Sequence, residues 1–228
     1  MQCRRAMSHF LCVFSALILT FWITTTNAGS FSAHLYRNDM GLISSDEGVY
    51  LEPTERSHVE LNLRHKTHTP GLHRERHVIK FEFRTTEDNG LLVYGRARGG
   101  PEDILALKLA GGKLYYTVRC PSLSADLLFR HPMGKLSDGH WHSVAVRFRR
   151  DNMRMQVVVD RVRDTKAYAT NCAELTSLVF GGVTPRDSQL LSGILGNVPH
   201  YSGCIRRVHI PRSLRVAASY YTVSTCPA

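Results

Sequence analysis

The sequence predicts an all-β protein, an antiparallel sandwich or jelly roll, on three observations. Short apolar runs recur with a period of two, turn signals separate them, and no long window carries a persuasive helical period. The clearest run follows Asp138-Gly139, a turn signal because Gly accepts positive φ and Asp bonds back to its own backbone. After it, Val144, Val146 and Phe148 fall on one face of a strand, and Ser143, Arg147 and Arg149 fall on the other. Trp141 sits at that strand's entry, on the opposite parity to the valines. It is too large to leave in water and is expected to cover an apolar edge.

The 228 residues suit one large β domain or two small ones. Residues 1–28 read as a secretory signal peptide. Arg4 and Arg5 form the basic region, residues 10–23 form an apolar run short for a bilayer, and Thr26-Asn27-Ala28 offer small residues for cleavage. The alternative is a signal anchor. No later segment is apolar enough to span a membrane. Removing Arg4 and Arg5 lowers the formal charge from +10 to +8. Cys3 and Cys12 leave with the signal, so Cys120, Cys172, Cys204 and Cys226 remain, an even number in an oxidising compartment. Four cysteines allow three pairings. No Asn-x-Ser/Thr sequon is present.

In chain order, residues 29–49 form a lead-in segment. Strands are expected at 49–51 and 58–63, then a basic loop over 64–77 with Pro70-Gly71 at its centre. Asn89-Gly90 predicts a hairpin between Phe81-Glu82-Phe83-Arg84 and Leu91-Leu92-Val93-Tyr94. Gly111-Gly112 predicts a second turn, between strands 104–109 and 114–118. Further strands follow at 127–129, in the central stretch entered at Trp141 and running to Phe148, at 155–159, at 178–182 and from Cys204 to Ile210.

Five of these motifs, in this order, carry a family resemblance. They are Phe81–Thr86 with Asn89-Gly90-Leu91-Leu92-Val93-Tyr94, Asp103–Leu109 with Gly112-Lys113-Leu114, Asp138-Gly139-His140-Trp141-His142, Val179–Pro185, and Ser202-Gly203-Cys204-Ile205. The chain over residues 50–228 resembles the laminin G-like domains of laminin α chains, agrin, perlecan and neurexins. The resemblance implies a concanavalin/lectin-like antiparallel jelly-roll sandwich of two curved sheets. It implies a disulfide between Cys204 and Cys226, which leaves Cys120 and Cys172 to pair with each other, to stay free or to bond another molecule. It also implies Ca²⁺ at one rim, a hard ion that takes several oxygens. Asp103 matches the family's first carboxylate ligand, and a backbone oxygen near Cys120 matches the second. The third position departs from the pattern: the loop 171–176 lacks the usual Asp, so Asn171 or Glu174 has to serve. The alternative is that Asp103 is an exposed strand-edge charge.

Basic residues supply the other candidate site. Arg147, Arg149, Arg150, Arg154, Arg161, Arg163 and Lys166 lie on one predicted hairpin and its continuation, and Arg206, Arg207, Arg212 and Arg215 form a second group. Clustered Arg and Lys on a secreted domain favour heparan sulfate or another acidic glycan, through charge and bidentate contacts. The histidines of loop 64–77 would add charge at mildly acidic pH. The alternative is a solvated basic face.

His140 and His142 lack the further converging ligands that Zn²⁺ needs, and His142 shares the parity of Val144, which suits a packed core-edge histidine. No Gly-x-Ser-x-Gly, His-Glu-x-x-His or phosphate-binding glycine loop is present, and the acidic residues are too scattered for a glycosidase pair. Nothing marks a nucleic-acid-binding module. The sequence therefore predicts a secreted, non-enzymatic matrix or cell-surface module that binds a glycan, receptor or matrix protein. A carrier of a small apolar ligand such as a steroid, or a purely structural module, are the competing readings.

Overall fold

The computed structural model describes residues 40–65, 77–97, 104–119, 127–149, 154–167, 175–211 and 214–227. A 3-10 turn, Gly41–Ser44, leads into β1 (Val49–Leu51) and β2 (His58–His65). Then come β3 (His77–Arg84), β4 (Gly90–Ala97), β5 (Ile104–Ala110), β6 (Lys113–Arg119) and β7 (Leu127–Arg130). They are followed by β8 (His142–Arg149), β9 (Arg154–Val159), β10 (Val162–Ala167) and β11 (Leu175–Phe180). Helix α1 (Ser188–Leu195) precedes β12 (Gly203–His209), β13 (Leu214–Tyr221) and β14 (Val223–Thr225).

The strands form two seven-stranded antiparallel sheets. Sheet A runs β10-β9-β8-β3-β12-β1-β14, and sheet B runs β13-β2-β11-β4-β5-β6-β7. The period-two pattern sorts the faces. In β8, Val144 and Val146 are buried while Ser143 is exposed; in β3, Ile79, Phe81 and Phe83 are buried while Lys80 is exposed. The buried set from both sheets forms one core. Phe81 of sheet A meets Phe180 of sheet B edge-on, ring centroids 5.5 Å apart.

Gly111-Gly112 behaves as expected. Ala110 pairs with Lys113, and both glycines take positive φ (57° and 72°), the conformation a two-residue hairpin needs. The Asn89-Gly90 expectation does not hold. β3 pairs with β8 and β12, whereas β4 pairs with β5 and β11, so the segment carries the chain from one sheet to the other. Gly90 does not take positive φ; it already belongs to β4, where an added Cβ would lie 3.0 Å from Tyr201 Cα. Asn89 Oδ1 instead accepts the Gly111 N–H at 3.1 Å, tying the crossover to the neighbouring turn. Each dipeptide signals a tight turn, and the partners of the flanking strands decide whether that turn becomes a hairpin.

The helix was not expected. It covers the outer face of sheet B, where Leu91, Tyr94, Ile104, Ala106 and Val179 pack with Leu191 and Leu195 in a second apolar cluster. Both ends are pinned to the sheet. The buried Asp187 carboxylate accepts from Tyr94 Oη (2.6 Å), Thr184 Oγ1 (2.8 Å) and Arg96 Nη1 (3.3 Å). Lys108 Nζ donates to the Leu195 carbonyl (3.0 Å) at the other end, where the helix dipole is negative. The carboxylate and the surrounding burial push the Tyr94 hydroxyl pKa upward, with burial the larger cause.

β10, β13 and β14 were also not expected. The last is held by the Cys204–Cys226 disulfide, with Cα atoms 5.7 Å apart and a sequence separation of 22. This is the bond the family resemblance implied, and a loop of that length stabilises by about 3 kcal/mol. No described helix is long and apolar enough to cross a membrane.

Candidate functional site

With α1 on the outer face of sheet B, the outer face of sheet A is the one that no described element covers. Its residues follow from strand alternation and register. Arg163 on β10 pairs with Val158 on β9, Val158 with Ala145 on β8, Ala145 with Lys80 on β3, and Lys80 with His209 on β12. Strands about 4.8 Å apart put Arg163 about 14 Å from Lys80 at the backbone, with only Val158 and Ala145 between them. The adjacent row holds Thr165, Gln156, Arg147 and Val78. Arg147 Nη1 donates to Gln156 Oε1 (3.4 Å), and Gln156 Nε2 donates to Thr165 Oγ1 (3.2 Å), a polar ladder that steadies the guanidinium. Arg154, exposed, is one step further along β9. Among the described residues, none of Lys80, Arg147, Arg154 and Arg163 has an ion-pair partner.

The other end of this face is different. Arg206 Nε donates to Glu82 Oε2 (2.7 Å) and Arg207 Nη1 to Glu82 Oε1 (3.1 Å); Arg207 Nε also donates to Asp46 Oδ1 (2.6 Å). The Arg207 hydrogen bond, with its charge, lowers the Asp46 pKa, and Asp46 and Glu82 raise that of Arg207. Trp141 lies here beneath two guanidiniums, Arg206 at 3.8 Å and Arg84 at 4.9 Å from the ring centroid. The expectation that Trp141 covers an apolar edge is thus corrected. Its opposite parity to the valines takes it out of the core and onto a face where the long neighbours are arginines, and the ring supplies them a π surface.

Just beyond, His142 is buried and held by two carboxylates, Asp160 Oδ2 on Nδ1 (2.8 Å) and Asp138 Oδ1 on Nε2 (3.0 Å). The His140 backbone N–H, aided by His142, lowers the Asp138 pKa to about 2. This is the packed, hydrogen-bonded histidine the alternation predicted. It locks the turn before β8 to the turn between β9 and β10.

The predicted basic set is therefore split. Arg147, Arg154 and Arg163 share the open face, with the backbone of Arg149 on the same parity. Arg161 is exposed in the Asp160-Arg161 turn, and Lys166 points to the sheet edge, where it pairs with Asp164 (3.1 Å) and lies over the Phe129 ring. Arg215 is on sheet B, across from Arg64. Arg150 and Arg212 lie outside the described residues, as do Cys120, Cys172, Asp103, Asn171, Glu174 and most of loop 64–77. Lys80, Glu82 and Arg84 were missed as site residues, although the alternation Ile79, Phe81, Phe83 already sets them together on the other face. Among the described residues, no group of three or more His, Cys, Asp and Glu side chains is placed to hold a metal ion. Ile104 pairs with both Arg119 and Arg96, and Leu175 with Ala97, so these strand ends share one rim of sheet B. On sheet B, a cavity of about 340 Å³ beside α1 is lined by neutral groups, among them Gln189, Ser192, Asn197 and His200.

Comparison with known proteins agrees with this architecture. Residues 83–212, more than half of the chain, match the family model described as Laminin G domain. The mouse basement membrane-specific heparan sulfate proteoglycan core protein is 30% identical over 146 residues, 62% of this chain and 4% of that protein. The laminin subunit alpha of Drosophila melanogaster is 25% identical over 146 residues, 59% of this chain and 4% of that protein. The chain thus spans a small fraction of the length of these relatives. Among solved structures, domains LG4-5 of the mouse laminin alpha1 chain superpose with a TM-score of 0.61 at 19% identity, covering 85% of this chain and 50% of that one. The LG1-3 region of the laminin alpha2 chain gives 0.51 at 19% identity, covering 78% and 31%. Fold, motif order and family match converge: the chain belongs to the laminin G domain family.

Proposed function

We propose that this protein is a secreted, non-enzymatic binding module of the extracellular matrix or cell surface, and that the outer face of sheet A binds a sulfated polysaccharide such as heparan sulfate. The observation that carries this reading is the group Lys80, Arg147, Arg154 and Arg163, which has no acidic partners among the described residues and surrounds a flat patch of Val158 and Ala145. Short side chains at the centre let a linear chain lie close to the sheet. The guanidiniums offer paired N–H donors to sulfate or carboxylate oxygens. The net positive charge of the chain draws a polyanion in from a distance. An extracellular location is supported by the signal-like residues 1–28 and by the basement-membrane name of the mouse relative.

Calcium is the second part of the proposal. Asp103, Asn171 and Glu174, with a backbone oxygen near Cys120, would supply oxygen ligands; its support is the shared rim of the neighbouring residues Ile104, Arg119 and Leu175.

Heparin-affinity chromatography with Ca²⁺ and then with chelator tests both parts. Elution well above physiological salt, lowered by Arg147→Ala with Arg163→Ala, supports the arginine face. A chelator-dependent shift brings the Asp103 rim into the binding account. Retention no greater than that of an unrelated protein of equal charge sinks the polysaccharide reading.

A further inference from the structure

Not every cation of the basic face is free: Arg206 and Arg207 are bound by acids on the same surface. Adjacent residues of a strand ordinarily point to opposite faces. Here both reach one carboxylate. The pairing of β12 with β3 shifts between Arg206 and His209, and Arg207 takes φ 51°, left-handed for a non-glycine residue. This bulge turns the Arg207 side chain back toward Glu82. Each Glu82 oxygen accepts from a different arginine, Oε2 from Arg206 and Oε1 from Arg207. Asp46 holds Arg207 from the other side, and the Trp141 ring backs Arg206. Glu82 shares the outer face of β3 with Lys80 and Arg84, so its charge stands beside the polyanion surface.

Resting on the polysaccharide reading, we infer that Glu82 limits the polyanion footprint: it keeps Arg206 and Arg207 out of the binding surface and ends that surface at Lys80. The ligand then runs across β3, β8, β9 and β10, at the rows of Arg163 and Arg147, and stops short of Trp141. Two of the arginines that the sequence offers as heparin contacts become the frame of the site, and the acid between them sets how many sulfates the protein engages.

The test compares the wild type with Glu82→Gln, with Arg206→Ala/Arg207→Ala, and with all three changes together. In heparin-affinity measurements over a range of NaCl, Glu82→Gln raises the elution salt and steepens the salt dependence, because each arginine recruited releases further counterions. Arg206→Ala/Arg207→Ala leaves the wild-type slope unchanged and cancels the gain of Glu82→Gln. Asp46→Asn, which loosens Arg207 alone, gives a smaller gain of the same sign. A second readout is independent of heparin. With residues 1–28 removed, Trp141 is the one indole left. Releasing Arg206 from Glu82 raises the local positive potential, so iodide quenching of Trp141 fluorescence increases in Glu82→Gln while quenching by neutral acrylamide does not.

The inference is overturned if Arg206→Ala/Arg207→Ala weakens wild-type retention as much as Arg147→Ala/Arg163→Ala does. It is also overturned if Glu82→Gln changes neither the slope nor the iodide quenching. A wild type that heparin does not retain rejects the polysaccharide reading instead, and the iodide measurement then decides whether Glu82 restrains the arginines.

Discussion

The outer faces of the two sheets differ in what they ask of solvent. That of sheet B is apolar at Leu91, Tyr94, Ile104, Ala106 and Val179, and α1 is pinned across it. That of sheet A alternates cleanly and is covered by no described element, with exposed Lys80, Arg154 and Arg163 on its surface. One sandwich thus has a face committed to stability and a face free for binding. Substitutions should separate the two: sheet B changes should alter the melting transition, and sheet A changes should alter retention on a polyanion.

The largest expected effect is on the covered face. Leu191→Ala removes the buried side chain that joins α1 to the sheet and costs about 2–4 kcal/mol, read as a lower urea midpoint. Asp187→Ala leaves the buried Tyr94 hydroxyl and one side of Arg96 without their acceptor, and costs about 1–3 kcal/mol. A near-neutral result for both would mean that α1 is a loose flap, and the contrast between faces would fail. Next is Trp141→Ala, which removes two cation–π contacts worth about 1 kcal/mol together. The smallest stability effect belongs to Arg147→Ala with Arg163→Ala, within about 0.5 kcal/mol of wild type by the same urea titration.

Acid sharpens the comparison on the sheet A side. Asp138 is ionised in the fold down to about pH 2, because the His140 N–H and His142 favour its charged form. Its contribution is present above the unfolded carboxylate value of about 3.9, and it is lost as pH falls from there toward 2. Melting curves between pH 5 and 2 should therefore fall less steeply for Asp138→Asn than for wild type; parallel curves would remove Asp138 from the account. His58 behaves in the opposite chemical sense. Buried and stacked on Tyr221 at 4.4 Å, it has its pKa lowered by desolvation, so its neutral form is favoured. Stability is then lost as pH drops below the ordinary histidine value of about 6.5. His58→Phe should flatten the wild-type decline between pH 7 and 5.5.

The sequence carried the sandwich because period two is a local signal, and Val144, Val146 and Phe83 took the faces their spacing assigned. It also carried the covered face without its cover. Leu91-Leu92-Val93-Tyr94 and Ile104-Leu105-Ala106-Leu107 are apolar on both parities, the mark of a strand buried on both sides. The helix that does the covering was not legible. Ser188–Leu195 spans about two turns, contains Gly193, and lacks a side-chain cap because Asp187 is engaged by Tyr94, Thr184 and Arg96. Asn89-Gly90 misled for a related reason: a turn signal does not say which strands will pair. At the candidate site, residue types were legible but their pairing was not. Arg206 and Arg207 read as free cations until the bulge in β12 showed both on Glu82.

The most direct test of the central claim maps ligand contact by chemical protection. Arginines are modified with phenylglyoxal and lysines with an acylating reagent, with and without a size-defined heparin oligosaccharide, and the sites are read by mass spectrometry. The account predicts protection of Lys80, Arg147, Arg154 and Arg163, with Arg64 and Arg215 on sheet B modified equally in both conditions. Protection of the sheet B residues, with the sheet A set still reactive, would contradict it.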